Sequence, residues 1–241
     1  MKHILFIALA AGVTLCPLRT VRAQNDEAAA AATAADKEKA SLAKHIKPVL
    51  KALKLDDATK EAQVSDTLTA YFKALRVWHA ENDARIKPLW NEFNEARSAH
   101  SVTNANAALA KIDDVYASFK PQHDTFLNDL SKVLSPAQVE TVEDALTIKK
   151  VKVTYDVYLQ IFPALTDAQK AVVLQDLKAA RAQAIDCESM AEKSAFFKKY
   201  KIIIEDDYLT AQGYSPQQAR KDFAAKEKAK VAAKKSAAAG Q

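Results

Sequence analysis

The chain has 241 residues, of which 49% are hydrophobic and 27% charged, with a formal net charge of +5. That share of apolar residues supplies a core for one or two domains and argues against wholesale disorder. Glycine excludes more. It occurs only at Gly12, Gly213 and Gly240, whereas dinucleotide turns, phosphate loops, nucleophile elbows and many-stranded barrels need it wherever φ turns positive or backbone must approach closely. The composition predicts an all-α protein.

Met1 to Ala23 has the form of an export signal. Lys2 and His3 precede an apolar run, Ile4 to Leu15, which is too short to span a bilayer. Val21 and Ala23 sit at −3 and −1 of a cleavage site before Gln24. A lipoprotein reading at Cys16 is weaker, because Leu15 stands where a small residue is wanted. Export predicts a periplasmic or secreted protein with no transmembrane segment. Of 35 basic side chains, Lys2, Arg19 and Arg22 leave with the signal, so 32 remain against 30 acidic ones, or +2. Arg220 to Lys235 alone carries seven basic and two acidic residues, or +5, which leaves the body at −3. The basic character thus belongs to a leader and a tail. No basic face with aromatics points to nucleic acid. Once Cys16 is removed, Cys187 has no partner within the chain. A buried small residue is the favoured reading; an intermolecular pair or a reactive thiol is the alternative.

Residues 24–40 are rich in alanine and charge, with little to bury, and predict a flexible solvated arm. The body, a single helical domain, spans 41–223. An Ala/Lys tail, 224–241, follows and is expected to be mobile as well. In the body, Leu42, Ile46, Val49 or Leu50, and Leu53 form a short helical stripe. A longer stripe runs Val64, Leu68, Tyr71, Leu75, Trp78, Asn82, Ile86, Leu89, Phe93. A third runs Ala105, Leu109, Ile112, Tyr116, Phe119, His123, Phe126, Leu130, Val133. Steps of three and four keep one narrow seam facing one partner. The expectation is a long antiparallel hairpin over about 57–133, then a smaller C-terminal helical bundle over about 135–223. Thr103 is a candidate cap for the second arm. Pro88 and Pro121 should each kink or interrupt a helix.

Helix starts recur near 56, 135, 166 and 215. Ser135-Pro136-Ala137-Gln138, Thr166-Asp167-Ala168-Gln169 and Ser215-Pro216-Gln217-Gln218 share the capping-box plan of a hydroxyl at the cap and glutamine at the third helical position. Val151 to Leu159 alternates like a strand, but it has no partner segment, and Val153, Val157 and Ile161 also stack at helical spacing; helix is favoured. Ser189 to Leu209 predicts another helix with Ala195, Phe196, Tyr200, Ile203 and Ile204 inward. Gly213 is a candidate left-handed cap.

From about Ile112 to Tyr214 a set of strings resembles a family of exported bacterial proteins known as domain of unknown function 3826. They are Leu134-Ser135-Pro136-Ala137-Gln138-Val139-Glu140, Val151 to Leu159, Phe162-Pro163-Ala164-Leu165-Thr166, Leu177-Lys178-Ala179-Ala180-Arg181 with Ala184-Ile185-Asp186, Lys199-Tyr200-Lys201, Tyr208-Leu209 and Gln212-Gly213-Tyr214. The resemblance implies an exported helical protein, an association with polysaccharide use, and no assigned catalytic residue. Leu165 to Gln169 also resembles the Leu-Thr-x-x-Gln strings of small periplasmic chaperones of the Spy and CpxP type. If the family strings mark a ligand site, its residues are Tyr155, Asp156, Arg181, Asp186, Lys199, Lys201 and Tyr208, suited to a polar ligand such as a sugar or a carboxylate. A structural ion pair between Arg181 and Asp186 is the competing reading.

Other constellations are weaker. His79 and Asp83, at i and i+4, could share a metal, but a solvated polar face is the favoured reading. No metal and no cofactor is expected. His123 on the apolar seam is either a satisfied boundary residue or a pH-sensitive contact. Asp113-Asp114 and Glu205-Asp206-Asp207 read as solvated faces. The expected function is a non-catalytic binding or accessory protein of the cell envelope that contacts a protein or a polar ligand. A Spy-like chaperone and a glycan-processing enzyme with its site in the C-terminal half are the alternatives.

Overall fold

A computed structural model describes the backbone of residues 18–239 and the side chains of Thr33 and of residues 36–233. Residues 1–17 of the predicted export signal lie outside the described residues. Among the described residues there are nine α-helices, one π-helical segment and no strand. The helices are α1 (Leu18–Leu53), α2 (Ala58–Ser98), α3 (Val102–Ala117), α4 (Lys120–Ser131), α5 (Pro136–Leu146), α6 (Lys150–Ile161), α7 (Asp167–Ala184), α8 (Met190–Ile202) and α9 (Pro216–Ala239). The π segment, Ile203–Leu209, continues directly from α8. The chain divides into two compact units, Met1–Lys44 and His45–Gln241. In the first, residues 36, 37, 39 and 40 are exposed, Glu38 is half-buried and Leu42 is buried.

The helices begin where the sequence supplies caps. Asp57 accepts from the amides of Thr59 and Lys60 at 2.8 and 3.1 Å and opens α2. Ser135 and Thr166 form full capping boxes with Gln138 and Gln169. A third box, Ser189 with Glu192, opens α8. The cap of α3 is Ser101 rather than Thr103, and its hydroxyl accepts from the Asn104 amide. Gly213 adopts φ of +84°, which lets the Tyr214 amide return to the Leu209 carbonyl at 3.0 Å.

The two prolines behave differently. α2 runs unbroken through Pro88. Pro88 and Ala84 are both exposed, so water can serve the carbonyl that loses its donor. Pro121 does end a helix. α3 stops at Ala117, and α4 begins at Lys120 with proline in its first turn.

α2 packs along α3 and α4. Glu92 pairs with Lys111, Trp78 with Ser118, and Tyr71 with Phe126. The α2 number falls as its partner's rises, the order of antiparallel neighbours. The buried stripe of α2 is Val64, Leu68, Tyr71, Leu75, Trp78, Ile86, Trp90 and Phe93. It meets Ile112, Phe119, Phe126 and Leu130, all buried. Truncating one such side chain to alanine costs about 2–5 kcal/mol.

Two expectations need correction here. α6 is helical over the alternating stretch, but its buried residues are Val151, Tyr158 and Ile161, which share a face at steps of seven and three. Val153 and Val157 point outward. The segment after Ser189 is not one uniform helix. The π turn adds a residue to the register, and Glu205 is thereby buried while its neighbours Asp206 and Asp207 stay exposed.

Candidate functional site

The site is built around Asp186. α7 ends at Ala184, and Ile185 to Glu188 carry the chain to the capping box of α8. Tight turns hold this junction: the Asp186 amide reaches the Gln183 carbonyl at 3.3 Å and the Cys187 amide reaches the Ala184 carbonyl at 3.2 Å. Asp186 is 9% exposed. Its carboxylate accepts from the Tyr71 hydroxyl at 2.8 Å and from Nδ1 of His123 at 2.9 Å. The Tyr71 hydroxyl also lies 2.9 Å from the Ile185 carbonyl, so one proton is shared between two acceptors. The Asp186 carbonyl accepts from Nε2 of His79 at 3.0 Å. Four elements, α2, α4, α7 and the junction after it, thus meet at one residue.

Each partner is placed by a local cause. His123 sits in the first turn of α4, where its amide returns to the Phe119 carbonyl. The break forced by Pro121 aims that turn at the junction. Tyr71 stacks on Phe126 with centroids 3.9 Å apart. His79 and Asp83 lie one turn apart on α2, with Nδ1 2.9 Å from the Asp83 carboxylate. His79 is 1% exposed, so the solvated face expected there is wrong; the junction after α7 covers it.

A cleft of about 330 Å³ opens beside Asp186, between α3, α4 and α7. Asp113, Tyr116, Lys120, His123, Gln183 and Asp186 line it. That volume lies at the small end of small-molecule sites. Its charges are already paired. Lys120 holds Asp124 at 2.6 Å. Buried Lys199 reaches both oxygens of Asp113 at 2.6 Å and the Gln183 side-chain oxygen at 3.0 Å. His123 spends Nδ1 on Asp186, and its Nε2 has no hydrogen bond among the described residues. A larger hollow of about 390 Å³ on the other side of Tyr71, between α2 and α4, is mostly apolar. The polar cleft is the better candidate because it gathers donors, acceptors and an aromatic ring.

Electrostatics separate the members of the network. Burial works to lower the His123 pKa, but the hydrogen bond and charge of Asp186, with Asp124 and Glu143 beyond, carry it above the ordinary value. Burial and the adjacent Asp186 charge push the Tyr71 hydroxyl far up, so it stays protonated and keeps its proton to donate. Burial also pushes the Cys187 thiol up. It stays a neutral thiol 3.6 Å from the Tyr116 hydroxyl.

The seven residues singled out from the sequence fall in different neighbourhoods. Asp186 lines the cleft, and Lys199 braces its wall through Asp113 and Gln183. Arg181 does not pair with Asp186. Its guanidinium, 4% exposed, donates to Asp144 at 2.6 Å and Glu143 at 2.8 Å, linking α7 to α5. Lys201 lies 3.8 Å from Glu205, in a cluster where Glu205 accepts from Tyr158 at 2.7 Å and from Arg220 at 2.7 Å. Asp156 pairs with Lys152 on the outer side of α6 at 2.6 Å. Tyr155 and Tyr208 are half-buried on α6 and the π segment. The sequence reading did not place Tyr71, Asp113, Tyr116, Lys120, His123, Asp124 or Gln183 in the site; Asp113, expected on a solvated face, instead lines the cleft and holds the buried Lys199 ammonium. The one available signal was a polar tip on the apolar seam, at Tyr71 and His123.

Fold and site together define an all-α protein with a small, charge-paired polar cleft. The chain belongs to the family described as "Protein of unknown function (DUF3826)", whose model matches residues 37–229. None of the curated proteins matches it. Among the described residues no helix is long and apolar enough to cross a membrane.

Proposed function

We propose that this chain, exported to the cell envelope, binds a small neutral hydroxyl-rich ligand of the carbohydrate type in the cleft beside Asp186. The pairing of charges within the cleft carries this reading. Lys120, Lys199 and His123 each already face a carboxylate. An ionic ligand would have to break such a pair, whereas a hydroxyl-bearing one can add hydrogen bonds to the oxygens of Asp113 and Gln183 and to Nε2 of His123. Tyr116, packed against Trp78 and Phe196, adds an aromatic side chain to the cleft wall. Export and the link to polysaccharide use come from the signal-like leader and the family resemblance.

The test is calorimetric titration with a panel of neutral and acidic mono- and oligosaccharides. At least one neutral sugar should bind with one-to-one stoichiometry. His123→Gln and Gln183→Ala should each weaken it by about tenfold or more, the loss of a hydrogen bond to a buried polar group, with the circular dichroism spectrum unchanged. Flat titrations across the panel, or tight binding of acidic sugars alone, count against the reading.

One observation favours a second reading, a glycan-processing enzyme. A histidine that lines a cleft and is held through Nδ1 by a buried carboxylate, with Nε2 left without a hydrogen bond among the described residues, is the arrangement used by general acid–base groups. Release of reducing ends from a glycan, lost in His123→Gln, would establish it.

A further inference from the structure

Behind the cleft, His79 poses a hydrogen-bonding problem. Nε2 faces the Asp186 carbonyl at 3.0 Å, and Nδ1 faces the Asp83 carboxylate at 2.9 Å. Both oxygens can only accept, and a neutral imidazole has one N–H to give. The carbonyl fixes that proton on Nε2. The lone pair of Nδ1 then points at a carboxylate oxygen 2.9 Å away, a clash relieved either by a second ring proton, which makes His79 an imidazolium paired with Asp83, or by a bound metal cation. Glu188, on the junction after α7, adds a third candidate: the ligand atoms of His79, Asp83 and Glu188 all lie within 4.8 Å of one another.

We propose that His79, Asp83 and Glu188 form a binding site for a divalent first-row transition ion, for which Zn²⁺ is the probe. Three features support it besides the lone-pair argument. A metal-ligating histidine characteristically donates its second N–H to a backbone carbonyl, which fixes the tautomer and ring orientation; here that carbonyl is Asp186's. One imidazole nitrogen with two carboxylates suits zinc and its neighbours better than calcium or magnesium, which prefer oxygen alone. Two carboxylates face Lys87, 2.6 Å from Asp83, so the site holds an excess of negative charge. Ligands about 2.1 Å from one ion lie at most about 4.2 Å apart, so the exposed Glu188 side chain must swing inward. The ion would tie the junction bearing Asp186 to α2, and it does not depend on what the cleft binds.

The experiment titrates Zn²⁺ into the chelator-treated, tag-free protein by calorimetry, with thermal melting in parallel. The expected result is one saturable site, with a melting temperature raised by about 5–10 °C at a hundredfold excess over Kd. Glu188→Gln and Asp83→Asn, both at accessible positions, should each weaken Zn²⁺ binding by about tenfold or more with the circular dichroism spectrum intact. Nitrogen-15 spectra of His79 should show Nδ1 metal-bound and Nε2 protonated. Absence of a one-to-one site, either variant binding as the unsubstituted chain does, or protons on both ring nitrogens in saturating Zn²⁺ would overturn the proposal.

Discussion

Two buried charge clusters lie a turn and a half apart on the same stretch of chain, and they do different work. At Arg181, the guanidinium is enclosed by Glu143 and Asp144 with Glu140 at 3.9 Å, and Lys178 covers Glu140. Burial pushes the Glu143 carboxyl up against the pull of Arg181, and the cluster faces another helix. At Asp186, three side chains converge, but one of them, His123, keeps a ring nitrogen for the cleft. Burial and charge alone therefore do not mark a site. An unspent donor or acceptor facing a space of molecular size does.

The largest effect that sharpens this contrast is Arg181→Ala. It strands two carboxylates in the α5–α7 contact, and breaking a buried pair in this way costs about 3–5 kcal/mol. Urea unfolding should show that loss, and sugar binding at the cleft should survive in the folded fraction. Tyr71→Phe comes next. It removes one donor from both Asp186 and the Ile185 carbonyl, for about 1–3 kcal/mol, and it should weaken ligand binding as well because Asp186 loses its anchor. Equal losses of binding in the two variants would erase the distinction.

The smallest effect is in pH. The folded-state pKa of His123 lies above its ordinary 6.5. A group raised on folding contributes its stability fully below the unfolded pKa and loses it as pH climbs through the folded one. The urea midpoint should therefore fall as pH rises above about 6.5. His123→Gln should flatten that slope. A slope that persists in His123→Gln would assign it to another group.

Much of the fold was legible because its causes are local. Capping boxes at Ser135 and Thr166 need only three neighbouring residues, and the stripes that bury Leu68, Trp78, Ile112 and Phe126 need only spacing. The site was legible in pieces. Asp186, His79 and His123 each stood out, but the contacts that join them span separations of 63 and 107 residues, and no periodicity encodes that. The Arg181 partner was misread for the same reason. Its partners are on α5, whereas Asp186, five residues on, lies beyond the end of α7. Glu205 was misread because a π turn changes which face a residue takes, and nothing in Glu205-Asp206-Asp207 announces one.

The most direct test observes the His123 ring itself during a sugar titration. In spectra of side-chain-labelled histidine, a neutral saccharide should shift the His123 signals saturably while His45 and His100 stay still. Saturable binding that leaves His123 unmoved would place the ligand elsewhere and contradict the assignment of the cleft.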